Sequence, residues 1–134
     1  MSNVLYPLAR QAFLAGDLDW DADNIKVSLV TSSYTYSASH QYRSSITSYE
    51  NGTSANLGSK TVTNGVADAA DTSLTATDAT ACNAIVVFQD SGSAATSCLI
   101  AYIDTPTSGL PFTPSASQTV NITWDDGSNK IFTL

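Results

Sequence analysis

The two densest apolar runs of the chain lie close together, at residues 84–88 and 99–103. Each run has the length of a β-strand and is rich in β-branched and aromatic residues. The residues between them, 89–97, are small and polar and centre on Gly92, as in a surface loop. The pattern predicts an antiparallel hairpin. Because neither run alternates between apolar and polar residues, we expect both faces of this hairpin to be covered.

Residues 4–15 are predicted to form the only helix, and Gly16 is well placed as its C-terminal stop. Pro7 fits the first turn of such a helix. Apolar side chains recur along it at helical spacing, at Leu5, Leu8, Ala9, Ala12 and Phe13. We expect the helix to cover one face of the central hairpin.

Residues 24–31 alternate and predict a half-buried strand. Lys26 and Ser28 are expected to point outward. The inward face of this strand is apolar, with Ile25, Val27 and Leu29.

Other strand-like segments are separated by turn signals and lie at residues 60–69, 70–76, 119–124 and 130–134. The first of them contains Asn64-Gly65, the preferred two-residue hairpin turn. With about seven or eight short strands, the chain predicts a mainly β fold. We expect an antiparallel β-sandwich, jelly-roll-like, with one short N-terminal α-helix. Its 134 residues are expected to form a single domain, 1–134.

An acidic stretch at residues 17–23 has an aspartate at every second position. It begins like an EF-hand calcium loop, but Ala22 replaces the required glycine and Ser28 occupies the last ligand position. The following residues alternate as a strand instead of forming a helix. A turn in which one aspartate caps locally and Trp20 packs inward is therefore favoured, with cation binding left as the alternative.

Residues 31–59 form a stretch rich in tyrosine and serine with few aliphatic side chains. A long stretch without regular structure is usually functional or mobile. Three interpretations are open: a surface excursion whose tyrosines pack back onto the sandwich, an arm that contacts a protein partner, and a glycan-binding loop. Tyrosine and arginine dominate protein–protein anchors. The candidate interface residues are therefore Tyr34, Tyr36, Tyr42, Arg43 and Tyr49.

The net charge and the hydropathy of the chain limit the classes of partner that the sequence predicts. The formal net charge is −7, and the five basic residues are scattered along the chain, so direct nucleic-acid binding is not expected. No apolar stretch approaches the length needed to span a membrane, and the start of the chain lacks a secretory signal pattern. Only 13% of the residues are charged. This fits either a surface for lateral protein contacts, since few charges must be desolvated, or an ordinary hydroxyl-rich β-strand surface.

Two cysteines, Cys82 and Cys98, are predicted to be free thiols. If Phe88 lies roughly opposite Cys98, Cys82 lies opposite Asp104, roughly 20 Å away from Cys98. A disulfide needs Cα atoms within about 7 Å of each other. Free thiols fit folding in a reducing cytoplasm.

Catalytic chemistry has little support in the sequence. There is one histidine, His40, and no nucleophile elbow, phosphate-binding loop or metal-ligand spacing surrounds the serines and acids. We therefore expect a protein that is not an enzyme and that has no cofactor and no metal site.

Several segments, taken in order, resemble small structural proteins of tailed bacteriophages. The similarity covers most of the chain outside the stretch rich in tyrosine and serine, and it lies in the order and spacing of the segments. The segments that carry it are residues 3–6, 19–20, 25–30, 58–62, 84–90, 95–104, 122–127 and 130–134.

This resemblance implies a role in building a virus particle, in a virion made in the host bacterial cytoplasm. We expect a capsid decoration or cement protein that stabilises the head through contacts with the major capsid protein and forms a homo-oligomer. A neck, collar or tail accessory protein is one alternative. A carbohydrate- or receptor-binding module of the virion is the other.

Overall fold

The computed structural model describes residues 3–106, 108–128 and 130–134. Over these residues the protein is mainly β, with one α-helix near the N-terminus, as the sequence predicts. The helix α1 spans Pro7–Ala15, and two short 3-10 turns span Arg43–Ser45 and Thr47–Tyr49. The strands are β1 (Val4–Leu5), β2 (Ile25–Thr31), β3 (Glu50–Thr53), β4 (Thr61–Thr63), β5 (Val66–Asp68), β6 (Thr72–Thr75), β7 (Cys82–Gln89), β8 (Leu99–Ile103), β9 (Thr119–Ile122) and β10 (Phe132–Thr133).

The predicted central hairpin is confirmed as β7 and β8, within a five-stranded antiparallel sheet of order β1-β8-β7-β2-β3. The register differs slightly from the prediction, since Phe88 pairs with Leu99 and the ladder shifts between Val87 and Phe88. Along β2, Leu29 lies opposite Ile85, which lies opposite Ile103. These three side chains therefore share one face of the sheet.

Two smaller antiparallel sheets complete the fold, one of order β10-β5-β4 and one formed by β6 and β9. All three sheets contribute to the same cluster of buried side chains, which runs from Leu5 to Trp124 along the chain. The hairpin of β4 and β5 turns at Asn64 and Gly65, both with positive φ, which confirms the predicted two-residue turn.

Helix α1 begins later than predicted, because residues 4–5 are paired with β8 as strand β1. The helix contacts β8 as expected. It also reaches the C-terminal strand, since the rings of Phe13 and Phe132 lie 5.9 Å apart between centroids. It ends at Gly16, whose φ of +80° is the left-handed conformation that glycine adopts readily.

Two further details of the prediction are wrong. Ser28 does not point to solvent: it is fully buried, because β3 pairs with β2 at this position and brings Thr53 against its hydroxyl. The stretch at residues 31–59 does contain regular structure, namely β3 and the two 3-10 turns. The burial of Ser28 and the formation of β3 both follow from the long-range pairing of β2 with β3, whereas the 3-10 turns are held by local hydrogen bonds.

Both cysteines are free thiols, as predicted. Cys82 is fully buried and lies opposite Thr31 and Phe112, not opposite Asp104. Cys98 is partly exposed and forms a bridge pair with Tyr42.

Candidate functional site

The tyrosine segment, residues 34–50, is attached by backbone hydrogen bonds to the hairpin of β7 and β8, mainly at its connecting loop. Arg43 N–H donates to the carbonyl of Ser97 at 2.8 Å, and Ser44 N–H donates to that of Ala94 at 3.0 Å. Leu99 N–H in turn donates to the carbonyl of Gln41 at 2.9 Å. Residues 41–43 therefore run antiparallel beside residues 97–99, at the start of β8.

A buried chain of hydrogen bonds ties the start of this segment to the N-terminal region. The hydroxyls of Tyr6 and Tyr34 lie 2.8 Å apart, and the Tyr34 hydroxyl lies 2.8 Å from Nδ1 of His40. Burial raises the pKa of Tyr6 far above its ordinary value and also raises the pKa of Tyr34. Both phenols stay protonated at neutral pH, so they act as hydrogen-bonding groups that fix the segment.

Aromatic packing surrounds that chain. The Tyr34 ring lies 5.6 Å from the ring of Tyr49 and 6.0 Å from that of Tyr102. Tyr36 lies 5.0 Å from Tyr6 and 5.6 Å from Tyr102. These centroid distances lie in the range in which tilted aromatic pairs attract each other. The tyrosines thus hold one another in fixed orientations on the sheet.

An ion pair fixes the other end of the segment. Arg43 Nε donates to both carboxylate oxygens of Glu50, at 3.2 and 3.0 Å, and its guanidinium lies 4.7 Å from the centre of the Phe88 ring. The hydroxyl of Ser28 also donates to Glu50. The side chain of Glu50 is only 11% exposed, so the pair is largely shielded from water.

The five candidate residues lie in different environments. Tyr34, Tyr36 and Tyr49 belong to the aromatic cluster around Tyr102. Arg43 lies over the ring of Phe88, and Tyr42 forms a backbone bridge with Cys98. Tyr34 is buried. For this residue, burial agrees with the first interpretation of the segment, a surface excursion whose tyrosines pack back onto the sandwich. Arg43 is engaged within the chain by Glu50. Tyr36, Tyr42 and Tyr49 are half-buried and keep part of their surface open. Contact of these residues with a partner stays a prediction.

Sequence reasoning missed Tyr6, Tyr102 and Glu50 as members of this cluster. Tyr6 and Tyr102 come from distant parts of the chain, and no local pattern links them to the segment. Glu50 did leave a signal, because it is the only acidic residue between positions 24 and 67. It was therefore the nearest available counter-charge for Arg43 along the sequence.

The acidic stretch at residues 17–23 is a turn, as predicted. Asp19 caps locally, since its N–H donates to Asp23 Oδ2 at 2.9 Å and its Oδ1 accepts from Ala22 N–H at 3.3 Å. Trp20 packs inward, with 4% of its surface exposed, and its indole N–H donates to the carbonyl of Asp68. Within the described ranges, no group of three His, Cys, Asp or Glu side chains is arranged to hold a metal ion.

A groove of about 890 Å³ lies between the five-stranded sheet and strand β9. One wall carries the aligned side chains of Leu29, Ile85 and Ile103. The facing wall carries apolar side chains at every second position, Val120, Ile122 and Trp124. None of the five candidate interface residues lines this groove. The groove and the tyrosine segment are therefore separate features of the surface.

In the part of the chain that the structure describes, no helix is long and apolar enough to cross a membrane. The chain was compared with protein-family models, with curated proteins and with solved structures, and nothing matched it.

Proposed function

We propose that this protein is a structural component of a tailed-bacteriophage virion, and that it decorates the capsid by binding other particle proteins. The proposal starts from the ordered likeness of its segments to small structural proteins of such phages. The structural observation that supports it is the rigid attachment of the tyrosine segment, which presents Tyr36, Tyr42 and Tyr49 in fixed positions.

Rigid attachment favours binding because a mobile segment loses conformational entropy on association, at about 0.5–1.5 kcal/mol for each side chain that becomes fixed. Here the segment is already held by Tyr34 at one end and by Arg43 at the other. Tyrosine adds large contact area with few rotatable bonds. The half-exposed rings are therefore suited to anchor a protein partner.

The action of such a protein is mechanical. Specific interfaces bury on the order of 1,600 Å². A β-sandwich docked across the seam between two capsid subunits adds buried area that resists outward pressure from packaged DNA. Many identical copies then sum to a large stabilisation of the shell.

The test uses particles of the phage that encodes the chain, with the wild-type gene or a Tyr42→Ser, Tyr49→Ser double variant. We expect the wild-type protein to be bound at many positions on the shell and to protect particles against heat and osmotic shock. The double variant, folded but poorly incorporated, should lose that protection. Ser48→Ala, an exposed change in the same segment, serves as the matched control.

Each alternative to capsid decoration predicts a different result in these experiments. Low-copy rings at the portal vertex would place the protein in the neck or tail and overturn decoration. Absence of the protein from purified particles would overturn the virion role itself. Binding to host-surface glycans by the purified protein, lost in the same double variant, would instead favour a receptor-binding module.

A further inference from the structure

Among the residues that the structure describes, no strand pairs with the outer side of strand β4 (Thr61–Thr63). It is the last strand in the order β10-β5-β4, and all three of its residues are exposed. An exposed strand edge carries backbone N–H and C=O groups that can pair with another extended chain. We propose that β4 is a self-association edge, at which two copies of the chain pair their β4 strands antiparallel about a two-fold axis centred on Val62.

The hydrogen-bond pattern of the hairpin shows which backbone groups face the open side. In an antiparallel ladder, hydrogen-bonded and non-bonded pairs alternate, and the pair that closes a two-residue turn is bonded. Thr63 pairs with Val66 at that turn, so the next pair, Val62 with Ala67, is non-bonded. The carbonyl of Ala67 accordingly accepts from Ile131 N–H on its other side, at 3.0 Å. The N–H and C=O of Val62 therefore point away from the sheet.

The side chain of Val62 adds an apolar contact at the same place. Val62, Ala67 and Phe132 lie opposite one another and share one face of the three-stranded sheet. Phe132 is covered by Trp20 and Phe13, but Val62 remains 56% exposed at the uncovered end of this row. Two-fold pairing places Val62 directly against its copy, which buries both side chains.

Charge does not oppose this pairing, although the chain has a net charge of −7. Residues 51–67 contain no acidic side chain. A lysine often protects an exposed edge, but the ammonium of Lys60 is turned inward, where it donates to the carbonyl of Asp23. With Val62 opposite its copy, Lys60 lies opposite Asn64 of the second copy, so no like charges meet.

The proposed occupant of this edge is a second copy of the chain. When the two-fold axis passes through Val62, the outward N–H and C=O of each Val62 meet the C=O and N–H of the other copy. The inference concerns only the homo-oligomer within the proposed function and rests on that part of it. Because only a few residues pair, association in dilute solution is weak, and the high local concentration on a particle strengthens it.

The test measures the mass of the purified protein by sedimentation equilibrium from about 10 µM to about 1 mM. We expect a monomer–dimer equilibrium. Val62→Pro removes the outward N–H and leaves the hydrogen bonds of the hairpin intact, while Val62→Glu places two like charges opposite each other. Both should weaken dimerisation at least about tenfold. Val62→Thr, which keeps the N–H and the branched shape, should stay near wild type.

Amide hydrogen exchange gives an independent readout of the edge. As concentration rises, protection should increase at Val62 and Asn64, whose N–H groups face the open side, and not at Thr61 or Thr63. A wild-type chain that is monomeric at about 1 mM overturns the proposal, as does a dimer that persists in folded Val62→Pro. Neither result bears on whether the protein is present in phage particles, so the two proposals fail separately.

Discussion

Gly52 has a backbone conformation and surroundings that leave no room for a side chain. Its φ is +109°, and a Cβ at this position would lie 2.5 Å from the carbonyl oxygen of Thr75 and 2.8 Å from Cδ1 of Leu74. The obstacle is partly backbone, so a rotamer change cannot relieve it. This close approach is how β3 fits against β6.

Gly52→Ala is expected to lower the free energy of unfolding by about 3 kcal/mol or more, because it combines left-handed strain with a backbone clash. Gly16→Ala is the matched control. Its φ is +80°, but a Cβ there meets no atom within 4 Å, so only about 1 kcal/mol of strain remains. Urea denaturation of both variants measures the difference. Equal losses would show that the contact with Thr75 is unimportant.

Tyr6 gives the protein a specific weakness at alkaline pH. Burial keeps Tyr6 protonated in the folded state, whereas the unfolded chain releases that proton near its ordinary pKa of about 10. The unfolded state therefore binds fewer protons above this pH. The stability that this group contributes is complete well below about pH 10 and falls above it, with a slope that approaches about 1.4 kcal/mol per pH unit.

Between about pH 10 and about pH 11, the unfolding free energy of Tyr6→Phe should fall by about 1 kcal/mol less than that of the wild type. At neutral pH the substitution should be mild, since the Tyr34 hydroxyl keeps His40 as a partner. Urea titrations at several pH values measure both effects. Identical slopes for wild type and variant would contradict the assignment.

The tyrosine segment behaves as one element, and the Arg43–Glu50 pair is expected to hold it on the sheet. Arg43→Ala leaves a mostly buried carboxylate without its cation, for which we expect a loss of about 2 kcal/mol. Hydrogen exchange should show where the loss occurs. The amides of residues 43 and 44, bonded to the loop of Ser97 and Ala94, should exchange faster, while those of β7 should not.

Arg43→Lys is the control for this element. Lysine keeps the positive charge, but its ammonium does not reproduce the planar guanidinium over the Phe88 ring, so we expect partial recovery. If Arg43→Ala accelerated exchange equally in β7 and in the segment, the pair would stabilise the whole fold and not the attachment of one layer.

Elements were predictable from the sequence where the information that forms them is local. The hairpin of β4 and β5 needs only Asn64-Gly65 and its flanking alternation, and the central hairpin needs only its two apolar runs. Strand β3 carries no such pattern, because Asn51 and Gly52 are unfavourable in strands. It forms through distant partners. The side-chain oxygen Oδ1 of the buried Asn51 accepts hydrogen bonds from the backbone N–H groups of Thr77 and Asp78.

At the scale of the whole molecule, the five-stranded sheet is covered by different kinds of layer. The tyrosine segment packs over Phe88 and Tyr102, whereas the groove wall of Leu29, Ile85 and Ile103 faces strand β9. The absence of alternation in the central runs predicted that both faces would be covered. The same pattern did not show which segments cover the two faces, because the contacts of the tyrosine segment and of β9 with the sheet join residues far apart in sequence.

The two thiols offer a test of whether these layers open together. Cys82 is fully buried, and its sulfur lies 3.4 Å from the Asn51 amide nitrogen, where β2, β3 and the segment at Phe112 meet. Cys98 is partly exposed. Burial raises the pKa of both thiols, so little thiolate is present at neutral pH.

Iodoacetamide should therefore modify Cys98 first, and Cys82 only as fast as the whole molecule unfolds. For a stability of about 5 kcal/mol, the unfolded fraction that exposes Cys82 is on the order of 10⁻⁴. Mass spectrometry of the Cys98→Ser variant, with increasing urea, measures the Cys82 rate alone. That rate should follow the unfolding equilibrium throughout. A Cys82 rate independent of urea at low concentrations would instead show that β3 and the segment at Phe112 open locally while the central sheet stays folded.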